Sequence, residues 1–144
     1  MAVAETQSQE IVIAVLKTAE RFRDEFSSVL KVHEITEPQF NVLRILRGSQ
    51  QQPLSCQQIG ERMITRVPDI TRLLDRLERR RLVRRERSDF DRRVVQTRIT
   101  EEGLSLLSAL DRPMREYHRT RFLHMTRQEL AQLAGLLAKA YQPG

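Results

Sequence analysis

Apolar residues recur every three or four positions over residues 10–31, at Ile11, Val12, Val15, Leu16, Ala19, Phe22, Phe26, Val29 and Leu30. That period predicts one long amphipathic helix, with a stripe too long for a small core to cover. In ITEPQFNVLRILRG, Thr36 is a fitting N-cap, Gln39 completes a capping box and Pro38 suits the first turn. A second helix is expected there, ending at Gly48. LSCQQIGERM predicts a short third helix, capped by Ser55 with Gln58 three residues on. The residue before Pro68 is pushed away from helical angles. PDITRLLDRLERR then predicts a fourth helix with Pro68 at its first position and Ile70, Leu73, Leu74 and Leu77 inward.

After Arg81 the period changes to two. Leu82–Arg87 and Val94–Ile99 alternate as strands, Val95, Thr97 and Ile99 sharing one face. The link from Ser88 to Arg93 predicts a hairpin with a charged tip. Thr100 caps a fifth helix, which Pro113 is expected to kink or end. TRQELAQLAGLLAKAY predicts the last helix, with Thr126 and Glu129 as a further capping box. A short helix, a tight break and an amphipathic helix make a helix-turn-helix, and the hairpin after it is a wing. The expected fold class is mainly α with a small β-hairpin wing: a winged helix-turn-helix over 35–100, flanked by helical regions 1–34 and 101–144. The length and end positions of the flanking apolar stripes favour a dimer interface.

Charge sharpens this picture. The chain carries a net +6, and residues 62–98 hold thirteen arginines against six acids. The rest carries twelve bases and thirteen acids, so one segment accounts for the whole excess. A basic segment in an otherwise balanced chain is the footprint of a polyanion partner, although a solvated charged surface has the same composition. The fourth helix suits the major groove, about 12 Å wide, and an arginine at the wing tip suits the narrow minor groove. Asp89 and Asp91 are read as wing supports, one of them holding an arginine by a bidentate pair.

Other chemistry is thin. Aromatics are 5% and Trp is absent, against sugar platforms and single-strand stacking surfaces. The lone Cys56 excludes an internal disulfide and a cysteine zinc site, and it reads as a small filler. His33, His118 and His124 lack metal-ligand spacing. No paired carboxylates, phosphate loop or nucleophile motif points to catalysis, so neither enzyme activity nor a cofactor is expected. The first ten residues lack a basic region followed by an apolar core, and no run could span a membrane, so a cytoplasmic protein is expected.

TRLLDRLE (Thr71–Glu78), the wing DRR (Asp91–Arg93) and ITEEG (Ile99–Gly103), in that order, resemble the MarR family of bacterial transcription regulators. The resemblance is close over the winged helix and extends to the helices around it. It implies a homodimer on a pseudo-palindromic operator of double-stranded DNA, acting as a repressor relieved by a small ligand. It implies Asp91 and Arg93 as the wing pair, with Arg92 beside them. Together with the residue reading it nominates Arg66, Pro68, Asp69, Thr71, Arg72, Arg76, Arg92 and Arg93 for DNA contact. Family ligands sit where the dimer helices meet the winged helix, which nominates Phe26, His33, Phe40 and Arg44. Two positions depart from the pattern: Arg81 stands where a left-handed glycine cap is usual, and Pro68-Asp69 where serine or threonine is common. The competing readings are a winged-helix module that binds protein, and a protein that coats DNA without sequence preference.

Overall fold

The computed structural model describes residues 2–50 and 52–142. Among them the order is α1 (Ala2–Lys31), α2 (Glu37–Gly48), β1 (Leu54–Ser55), α3 (Cys56–Arg62), α4 (Ile70–Arg79), β2 (Val83–Arg87), β3 (Val95–Ile99), α5 (Glu101–Arg121) and α6 (Arg127–Tyr141). This is the mainly helical winged arrangement expected. α1 begins eight residues earlier than the apolar stripe, because nothing in residues 2–10 breaks a helix.

Thr36, Ser55 and Thr126 each form the full capping box read from the sequence. Helix α4 corrects one expectation. Asp69 accepts the Arg72 N–H at 3.0 Å and is itself the N-cap, so Pro68 lies one residue outside the helix. Helix α5 narrows another: Pro113 does not end it, and the helix continues to Arg121. Pro113 and Ala109 are both exposed, so the carbonyl that loses its partner faces water, while Leu110 and Met114 stay buried on the other side.

The sheet order is β1-β3-β2, all antiparallel. Strand β1 is only two residues long, pairing Leu54 with Thr97 and Ser55 with Gln96, too short to leave a period in the sequence. The core gathers Leu30, Val42, Leu43, Leu46, Ile59, Leu74, Leu77, Leu107 and Leu110, all fully buried. It joins α1, α2 and α5 to the helix-turn-helix. A fork between Arg47 and Asp111, with two bonds of 3.0 Å, adds a tie from α2 to α5.

At the end of α4 the chain turns in a left-handed cap. Arg81 has φ 61°, its N–H donates to Glu78 O at 2.9 Å, and the Leu82 N–H donates to Leu77 O at 3.0 Å. This is a Schellman motif with an arginine at the position glycine normally fills. The buried pair Leu77 and Leu82 completes its apolar contact. A Cβ in this region costs about 1 kcal/mol. Arg81→Gly is therefore expected to raise the melting temperature by a few degrees in calorimetry; a fall would mean that the arginine side chain contributes more than its backbone costs.

Candidate nucleic-acid interface

Helix α4 presents one face to the core and the other to solvent. Leu73, Leu74 and Leu77 are buried, whereas Thr71, Arg72, Arg76 and Arg79 are exposed. The loop before it adds exposed Arg66, Pro68 and Asp69. The turn is pinned from below, where Asn41 Oδ1 accepts the Ile64 N–H at 2.9 Å. The far end is pinned by Arg80, whose guanidinium donates to Glu34 O at 2.6 Å and His33 O at 3.2 Å. Arg80 is thus a structural cation, unlike its neighbours along the helix.

The wing continues the cationic surface. The Ser88 N–H donates to Val94 O at 2.9 Å and the Val94 N–H to Asp91 O at 3.0 Å, closing the tip. Asp91 Oδ1 accepts the Arg93 N–H at 3.0 Å, and Arg87 Nη1 donates to Arg92 O at 2.6 Å. The carboxylate of Asp91 therefore shapes the turn through a backbone N–H. The bidentate arginine pair expected on Asp89 or Asp91 does not form among the described residues; the arginine that anchors the wing lies at its base. There Arg85 of β2 reaches Glu78 of α4 through Nε at 3.3 Å and Nη2 at 3.0 Å, while its backbone N–H reaches the same carboxylate at 2.8 Å. Asp75 pairs with the same guanidinium.

This staple fixes the wing's angle to α4. Hydrogen bonds from Arg85 hold the Glu78 carboxyl below the usual carboxylate range, against the opposing effect of burial. Arg66, Arg76, Arg92 and Arg93 have no acidic partner among the described residues and are exposed, so their guanidinium groups are available to phosphate or bases. Asp69 is part-engaged, as cap for Arg72 and 4.0 Å from its Nε. No helix among the described residues is long and apolar enough to cross a membrane.

Behind the reading face lies a cavity of about 260 Å³. Phe22 and Phe26 of α1, Phe40, Asn41 and Arg44 of α2, Tyr117 and Arg121 of α5, and Ile64 of the helix-turn-helix line it. Phe26 meets Phe40 and Tyr117 edge-on, with centroids 5.5 and 6.1 Å apart. The Arg121 guanidinium lies 4.7 Å from the Phe22 ring centre and pairs with Glu25 at 2.9 Å. Of the four nominated ligand residues, Phe26, Phe40 and Arg44 converge here, whereas His33 lies outside, its carbonyl taken by Arg80. Tyr117, Arg121 and Phe122 were not legible in the sequence, because their place depends on how α5 crosses α1.

The MarR family model matches residues 35–95, the helix-turn-helix and the wing tip. The HTH-type transcriptional regulator MhqR of Bacillus subtilis is 32% identical over 71% of this chain and 69% of its own. The crystal structure of a MarR transcription factor from Planctomyces limnophilus is 35% identical, covers 90% of this chain and 94% of that one, and superposes with a TM-score of 0.71. The chain belongs to the MarR family. It is a DNA-binding transcriptional regulator built on a winged helix-turn-helix, and its role is regulatory rather than catalytic. The Homoprotocatechuate degradative operon repressor of Escherichia coli is also similar, at 29% identity over 88% of this chain and 84% of its own. In this MarR-family regulator the exposed arginines of α4 and the wing that lack an acidic partner among the described residues form one candidate surface for DNA.

Proposed function

We propose that this MarR-family regulator is a homodimeric repressor that binds a pseudo-palindromic operator and releases it when a small ligand enters the cavity. One observation carries the dimer. Leu16 of α1 is 65% exposed in the single chain, and Leu136 and Tyr141 of α6 are 66% and 91% exposed. No residue of α6 is buried at all. Apolar stripes at both chain ends would be covered by a second copy, with residues 1–34 and 101–144 as the dimer region and 35–100 reading DNA. A two-fold dimer sets two recognition helices about one duplex turn apart, roughly 34 Å, which demands a two-fold site.

Within each half, Thr71, Arg72 and Arg76 would face base edges in the major groove, Arg66 and Pro68 the adjoining backbone, and Arg92 and Arg93 the minor groove, while the Asp69 carboxylate, which phosphate would repel, caps α4 or accepts from a cytosine amino group. Asp91, and Asp89 beside it, serve the wing's shape. The E. coli relative's role as a repressor supports the same sign of control here. Aromatic walls suit a small aromatic effector, and Arg23 and Arg44, set against Glu37 with Arg121 already paired to Glu25, favour one that carries a negative charge. The cavity touches α1 and α5 of the dimer region and the helix-turn-helix, so a ligand there could change the separation of the two reading heads. Acting on operator DNA places the protein in the cytoplasm.

The test is selection of bound duplexes from a random library. The expected result is a two-fold site bound at least about a thousandfold more tightly than random DNA. An asymmetric half-site would remove the dimer from the reading, and equal binding of all duplexes would favour a non-specific coat.

A further inference from the structure

Phe90 lies in the loop at the wing tip with its ring wholly exposed, more so than any other large apolar side chain described. It packs against nothing in the core, so the fold does not require it. Yet the backbone beneath it is firmly held. The Phe90 N–H donates to Ser88 Oγ at 3.2 Å, Ser88 is itself buried, and the bonds of Asp91, Val94 and Arg87 close the same turn. A rigid platform thus offers an apolar ring to solvent beside two unpaired guanidinium groups, Arg92 and Arg93.

We propose that Phe90 is a specificity-determining DNA contact: its ring enters the minor groove beside the wing arginines and packs on sugar edges at an easily unstacked base step. This inference rests on the DNA-binding reading of the wing. Asp89 and Asp91 flank the ring, but Arg87, Arg92 and Arg93 outnumber them, and the wing belongs to a segment, residues 62–98, with thirteen arginines against six acids, which favours a nucleic acid over an apolar protein surface as the occupant. A phenyl ring has no donor or acceptor, so it cannot read base edges. It reads width and deformability instead, as apolar wedges do in other minor-groove binders. Pyrimidine–purine steps unstack most readily, so operators are expected to carry one under each wing.

The experiment uses the full chain and the duplex that the wild-type protein selects, titrated from about 50 to about 200 mM salt. Phe90→Ala is expected to bind about tenfold more weakly at every salt concentration, with an unchanged slope of log affinity on log salt, because an apolar contact releases no counterion. Arg93→Ala is the comparator, expected to flatten that slope by about 0.9. Phe90→Leu should restore most of the binding, and replacing the pyrimidine–purine step should weaken the wild type but not Phe90→Ala. Phe90→Ala binding within twofold of wild type overturns the proposal. So does a change in the sedimentation of the DNA-free protein on this substitution, which would assign the ring to a protein interface. Failure of the underlying reading looks different, since the wild type would then select no duplex.

Discussion

Removing residues 126–144 is expected to convert the protein to a monomer that binds its operator about a hundredfold or more weakly. The reason lies in where α6 puts its apolar side chains. Leu136, Leu137 and Tyr141 point away from the rest of the chain, and the helix contributes no buried residue to the core. Its removal therefore leaves the winged helix intact, with the Leu43, Leu74 and Leu107 cluster unchanged. On the proposed dimer, what would disappear is a cover for the apolar stripe of α1, where Ile11, Val12 and Leu16 are exposed. Each half-site would then be bound alone, without the gain that comes from linking two binding events. Sedimentation velocity gives the mass, and a gel shift on the selected duplex gives the affinity. A truncated protein that still sediments as a dimer and binds normally would move the interface elsewhere.

Gly103→Ala should destabilise the protein by about 3 kcal/mol, near the upper end of overpacking costs. Ordinary helix propensity argues the other way, since alanine is favoured over glycine by about 1 kcal/mol inside a helix. Packing decides the sign. A Cβ at position 103 would sit 2.3 Å from the Leu82 carbonyl oxygen and 2.7 Å from Ile99 Cγ1. The first of these is backbone and cannot rotate away. Leu82 O also accepts the Thr100 N–H at 3.1 Å, and Leu82 closes the Schellman turn, so relief would pull α5, β2 and the end of α4 apart together. Urea unfolding measures the loss. A change below about 0.5 kcal/mol would mean that the contact relaxes freely. This explains physically why ITEEG ends in glycine.

Much of the fold around the candidate interface was legible beforehand because its signals are local. Capping boxes span four residues, and all three that were read are formed. The resemblance marked position 81 as a usual left-handed glycine cap but left open how the helix ends with an arginine there; its φ of 61° keeps the left-handed turn. The errors were also local in cause. Pro68 looked like a first helical residue until Asp69 took the Arg72 N–H. Pro113 was read as a kink or an end; it does not end the helix, since the carbonyl it frees faces water.

The sequence by itself determined the order of helices and strands, the exposed arginines and the wing, because each rests on a period or a cap readable within a few residues. Only the tertiary structure decided which charges are free. Arg80 and Arg85 sit among arginines of the same composition, yet one holds the carbonyls of His33 and Glu34 and the other locks the wing to Glu78 and Asp75. Likewise Arg47 meets Asp111 from 64 residues away, and Arg121 meets Phe22 only because α5 crosses α1. A guanidinium's partner is set by which elements come together in space, and no pattern along the chain carries that information.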